Sequence, residues 1–178
     1  YWGFPGNGLG FGAFAIPYAQ GDYETIRKLA HASAKRLEAI NDVKAPQAQA
    51  RDTALELAYR AAADASYRLG DYAQADADVQ RALALRKVIP TRTRSDERDA
   101  GDQTALAAKI AARLGRSAEA QRLIAPVLEM HRELFAREDN DDLYQHLQFA
   151  DALYTSALAG SPGRTAELRQ AAALIDAL

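Results

Sequence analysis

Three histidines, His31, His131 and His146, are the only imidazoles in the chain, and it contains no cysteine. Two histidines that share a zinc ion on one helix stand three or four residues apart, because only that spacing brings both rings to one face. Here none has a second histidine at that distance. Glu133 after His131 and Asp142 before His146 are neighbours of the kind found on exposed helix faces. The run Asp139-Asn140-Asp141-Asp142 is dense in carboxylates but lacks the glycine and distal glutamate of a calcium loop, and a helix cap explains it more simply. Gly6 to Gly12, GNGLGFG, has the glycine density of a phosphate-cradling loop, yet such loops follow a strand, and nothing β-like flanks this one. Thiolate chemistry is excluded, and no nucleophile elbow occurs. No metal, cofactor or catalytic residue is expected, and the chain is read as non-enzymatic.

Bulk properties point the same way. Of 178 residues, 48% are apolar and 26% charged, ordinary values for a soluble globular protein, and the length suits one domain. A net charge of −2 supplies no field that would recruit nucleic acid or an anionic membrane. No apolar run reaches the roughly 18 to 20 residues of a membrane span, since Leu9 to Ala19 is too short and carries Pro17. The chain opens Tyr1-Trp2-Gly3-Phe4-Pro5, its only methionine is Met130, and no basic segment precedes an apolar one. It is therefore read as a fragment or processed product. The compartment is left open, with the cytoplasm as default and the periplasm compatible.

Ala, Leu, Arg, Gln and Glu dominate, residues that lose little on entering a helix, so the chain is expected to be all-α. Its clearest stretch is Ala61 to Leu85, AAADASYRLGDYAQADADVQRALAL. Small residues recur on one side of a first helix, Gly70 and Asp71 break it, and Tyr72, Ala75, Val79 and Ala82 mark one face of a second. Gly70 supplies a left-handed helix end, and Asp71 caps the next first turn. Leu69-Gly70-Asp71-Tyr72, with small Ala63, Ala75 and Ala82 and apolar Val79, resembles one tetratricopeptide repeat.

Three further units resemble it. In the first, Tyr18-Ala19-Gln20-Gly21-Asp22-Tyr23 repeats the turn, joining a helix over Asn7 to Ala19 to one over Asp22 to Ile40, whose buried stripe is expected to be Ile26, Leu29, Ala30 and Leu37. Pro46 opens a long helix ending near Leu69. After Pro90, a helix capped by Ser95 leads to Ala107, Ala108, Ala111, Leu114, Gly115, Ala120, Ile124 and Val127 in the Gly70 register, with Pro126 predicting a kink. The last pair is Leu143 to Ala159 and Thr165 to the end. The units span about 7–41, 46–89, 95–138 and 141–178, and the glycines Gly21, Gly70, Gly115 and Gly160 stand 49, 45 and 45 residues apart. That period exceeds the roughly 34 residues of the family, through lengthened first helices.

The resemblance implies a right-handed α-α superhelix of about eight helices in stacked antiparallel hairpins, with function on a concave face. It places Phe11 and Tyr18, then Arg60, Asp64, Tyr67 and Arg68, then Lys109 and Arg113, then Tyr154 on that face. Cations and tyrosines together suit an acidic or aromatic peptide segment; the plainer alternative is a solvated helix face. Asp64 would repel a carboxylate placed beside it, which argues against a clamp for a C-terminal carboxylate. The implied function is a protein-binding scaffold, part of a longer bacterial signalling, regulatory or secretion-associated protein. The alternative is an effector-sensing module controlling an attached domain. Leu168, Ala172, Ile175 and Leu178 form an apolar stripe on the last helix, for which a further helix or self-association is expected.

Overall fold

Four hairpin turns are built from one backbone device. Gly21, Gly70, Gly115 and Gly160 have φ of +69°, +80°, +77° and +83°. Each glycine amide donates to the carbonyl three residues back, at Tyr18, Tyr67, Ala112 and Ala157, all at 3.1 Å. The next amide in each turn reaches five back, to Pro17, Ser66, Ala111 and Ser156, at 2.8 to 3.3 Å. These paired bonds satisfy the last carbonyls of the preceding helix, and they require the left-handed conformation that a side chain resists. At Gly70 an added Cβ would meet open space, so φ rather than crowding demands the glycine.

The computed structural model describes the backbone of residues 12–40, 44–90, 93–137 and 143–177, and their side chains except at 12–15, 45, 46, 94, 95 and 137. Among the described residues there are eight α-helices and no strands: α1 (Gly12–Gln20), α2 (Tyr23–Glu38), α3 (Ala45–Arg68), α4 (Tyr72–Arg86), α5 (Arg94–Arg113), α6 (Ser117–Arg137), α7 (Leu143–Leu158) and α8 (Arg164–Asp176). None is long and apolar enough to cross a membrane. Asp22 and Asp71 cap α2 and α4, accepting from the amides of Thr25 at 3.0 Å and Gln74 at 3.2 Å. The bonds from Thr25 hold the Asp22 carboxyl below its usual range. The cap of α5 is Thr93, not Ser95: Thr93 Oγ1 accepts from the Asp96 amide at 3.1 Å while the Asp96 carboxylate accepts from the Thr93 amide at 2.8 Å. This reciprocal pair starts the helix two residues earlier than a cap at Ser95 would.

The chain forms two compact units, residues 1–91 and 92–178. In the first, α3 packs between α2 and α4. Ile26 and Ala30 of α2 meet Ala61, Ala62 and Ala65 of α3, with Tyr18 and Tyr23 closing the turn end. Farther along, Ala34, Leu55, Ala58, Tyr59 and Ala82 form a second layer. Leu29 does not join this core; it is 39% exposed, and Ala34 takes the inner position instead. Alanine on the inner faces lets the α2, α3 and α4 backbones approach, and Leu37 packs against the second layer.

In the second unit α7 is surrounded by α5, α6 and α8. Ile124, Val127, Leu128, Phe149, Leu153, Ala171 and Leu174 make its core, and Ala111, Ala120 and Ala159 seal the turn end. The four alanines expected at crossings, Ala63, Ala75, Ala108 and Ala120, are fully buried. Helix α5 runs through Ala100 and Gly101 because Gly101 leaves space for Met130, whose Cε would lie 2.6 Å from an added Cβ. Helix α6 continues through Pro126, which is exposed. On α8 the packed residues are Ala171 and Leu174, whereas Leu168, Ala172 and Ile175 are exposed; Leu178 lies outside the described residues. So do the Gly6 to Phe11 part of the glycine-rich stretch and Asp139 to Asp142.

Candidate functional site

In the first unit, side chains from three helices gather around the Asp64–Arg68 pair of α3. Tyr18 of α1 donates its hydroxyl to Asp64 Oδ2 at 2.8 Å, and Arg68, one turn along α3, donates Nε to the same oxygen at 2.9 Å. The Arg68 guanidinium lies over the ring of Tyr23 from α2, 5.1 Å from its centroid, and Nη1 reaches the Tyr23 hydroxyl at 3.3 Å. Burial and the neighbouring Asp64 charge push the Tyr18 hydroxyl far above its usual range, so it stays protonated and serves Asp64 as a donor. Burial, the largest single influence, works against the charge of Arg68, but Asp64 together with Tyr23 and Tyr18 outweighs it, and the guanidinium is held charged more firmly than in water. Arg60 is half-buried one turn earlier on α3, near enough for its charge to act on the Tyr18 hydroxyl.

Equivalent turns carry equivalent aromatic pairs. Tyr18 and Tyr23 meet edge to face at 6.1 Å, and Tyr67 and Tyr72, which occupy the same places around Gly70, meet at 5.6 Å. Of the face residues expected in this unit, Tyr18, Arg60 and Arg68 are brought together with Asp64. Tyr67 stands apart with Tyr72, and Phe11 is outside the described residues.

In the second unit, Lys109 of α5 is committed to a structural partner. Its ammonium lies 2.6 Å from both carboxylate oxygens of Asp151 on α7, and its side chain is 18% exposed. Arg113 at the end of α5 and Tyr154 on α7 are exposed. Asp102 ties the same two helices, accepting from Gln148 at 2.6 Å and Tyr144 at 3.2 Å.

Two of the histidines, His131 and His146, are not the solvent-facing residues that their neighbours in sequence suggest. His131 and His146 are 4% and 9% exposed, and His146 meets the ring of Phe135 edge to face at 5.1 Å. Both sit on the inner faces of α6 and α7, where packing rather than adjacent acidic residues decides their surroundings. Burial pushes the His131 imidazole down to about 4, with Asp151 opposing the shift and Arg98 adding to it. His31 reaches across to the buried carboxylate of Asp78 on α4 at 2.9 Å, beside Gln74 at 3.1 Å. Among the described residues, no three His, Asp or Glu side chains gather in a way that could hold a metal ion.

Sequence patterns missed Tyr23, Asp151 and the Glu38-Tyr59-Arg81 chain, in which Tyr59 donates to Glu38 and accepts from Arg81 at 2.9 Å. A signal for Tyr23 existed, since it follows Asp22 as Tyr72 follows Asp71. Lys109 and Asp151 are 42 residues apart, beyond any spacing rule within one helix. Compared with known protein families, with characterised proteins and with solved structures, the chain gives no match in any of the three.

Proposed function

We propose that the chain is a non-catalytic, tetratricopeptide-like scaffold that binds an acidic peptide or protein segment through cations and tyrosines on its first helices. The observation that carries this reading is the state of Arg68. Its guanidinium is stacked on the ring of Tyr23 and held through Nη1 to the Tyr23 hydroxyl, and its Nη2 has no protein partner among the described residues. A guanidinium fixed in this way has already lost rotamer freedom, so it gives up little more when a carboxylate arrives. Arg113, at the same distance before Gly115 as Arg68 is before Gly70, provides an exposed cation at the matching place in the second unit. The repeated turns and buried alanines supply the rigid hairpins that such a scaffold needs.

Exposed ion pairs contribute about 0.2 to 1 kcal/mol each, so affinity is expected to be weak, on the order of micromolar or poorer, and to fall with added salt. Fluorescence polarisation with labelled oligoglutamate and oligolysine peptides tests the reading. The acidic peptide should bind preferentially, and Arg68→Glu and Arg113→Glu should each weaken it. Equal binding of both peptides, or no loss in either variant, would refute it.

A further inference from the structure

We propose that Asp64 is a built-in competitor for the ligand carboxylate, gating the Arg68 site by occupying its donors in the free protein. This inference rests on the acidic-segment reading above. Two donors from different helices, the Tyr18 hydroxyl and Arg68 Nε, converge on one oxygen of one carboxylate, at 2.8 and 2.9 Å. That is the arrangement with which a protein grips a carboxylate from a partner. Here the carboxylate is its own, on the same helix as the arginine and four residues before it. The Asp64 side chain is 23% exposed and that of Arg68 34%, so the pair lies at the surface, where an arriving anion can reach it.

The charge of Asp64 acts on a ligand in two ways. It neutralises the cation that would attract an acidic segment, and it repels a carboxylate placed beside the same guanidinium. The Tyr18 hydroxyl, protonated and donating to Oδ2, holds the Asp64 carboxylate in place beside the guanidinium without removing its charge. Arg60, which acts on the same hydroxyl, adds positive charge around the gate. Removing the Asp64 charge while keeping its shape leaves the Arg68 guanidinium without its paired carboxylate. Acidic ligands should then bind more tightly and basic ones less.

The test compares the full chain with Asp64→Asn and with Asp176→Asn, which makes the same change in net charge at an exposed position on α8. Asparagine preserves an acceptor for Tyr18, and thermal unfolding by circular dichroism checks that each variant is folded; Asp64→Ser is the second variant. Labelled oligoglutamate is the probe. Asp64→Asn should tighten its binding about two- to fivefold, the range expected for one exposed ion pair, and Asp176→Asn should leave it unchanged. An equal gain in both variants would assign the effect to bulk charge and overturn the gate. A loss in Asp64→Asn would show that Asp64 positions Arg68 for the ligand, which also overturns it. If wild type binds oligoglutamate and Asp64→Asn binds it equally, the gate fails while the scaffold reading stands. If neither protein binds it, both fail.

Discussion

His131 makes a large and specific demand on solution pH. Its ring is buried on α6 against the α7 core, and burial lowers its pKa from 6.5 to about 4. Between these values the unfolded chain takes up a proton that the folded chain refuses, so stability must fall as pH falls from 6.5 toward 4. The full difference corresponds to about 3 kcal/mol, of which about 2 kcal/mol is lost between pH 7 and pH 5. Asp151 does little to relieve this, because both of its oxygens are held by Lys109. Urea unfolding of wild type and of His131→Phe and His131→Gln, followed by circular dichroism at pH 7 and pH 5, measures the effect. Wild type should lose about 2 kcal/mol more than either variant over that interval. All other groups are common to the three proteins, so the comparison isolates residue 131. Parallel pH profiles would refute the reasoning, and so would an NMR titration placing His131 near 6.5.

The backbone and packing arguments can be checked separately. Gly70→Ala forces an L side chain into φ of +80° and should cost about 1 to 2 kcal/mol by thermal or urea unfolding, although nothing nearby collides with the new methyl group. An unchanged midpoint would show that the turn relaxes to another geometry. Ala75→Leu places three more carbons at a fully buried crossing of α4 and should lower stability by about 1 to 3 kcal/mol. A melting temperature equal to that of wild type would mean the helices are not closely packed there.

Local patterns proved readable where the physics is local. The four glycine turns, the Asp22 and Asp71 caps and the buried alanines all follow from residue type at helical spacing, and each helix start and stop lies within a few residues of its expected place wherever the structure describes it. The α5 start was harder, because Thr93 and Ser95 are both good caps, and only the reciprocal bonds with Asp96 select between them. Leu29 shows a different difficulty. Its spacing on α2 fits the apolar stripe, yet it is exposed and lies outside the cluster that Ile26 and Ala30 form with α3. The candidate site was legible as a set of face positions and not as a network. That Asp64 serves Tyr18 and Arg68 together, and that Lys109 belongs to Asp151, depends on contacts between helices more than 40 residues apart in sequence. The buried histidines escaped for the same reason.

The central claim is that acidic segments dock on the Arg68 cluster, and the most direct measurement is residue-resolved NMR of the full chain titrated with unlabelled oligoglutamate. Saturable shifts are expected, concentrated at the Arg68 Nε–Hε signal and at the amides of Tyr18, Tyr23 and 60 to 68, which added salt reverses and Arg68→Glu abolishes. Shifts scattered over all surface cations, or centred elsewhere and unchanged in Arg68→Glu, would contradict it.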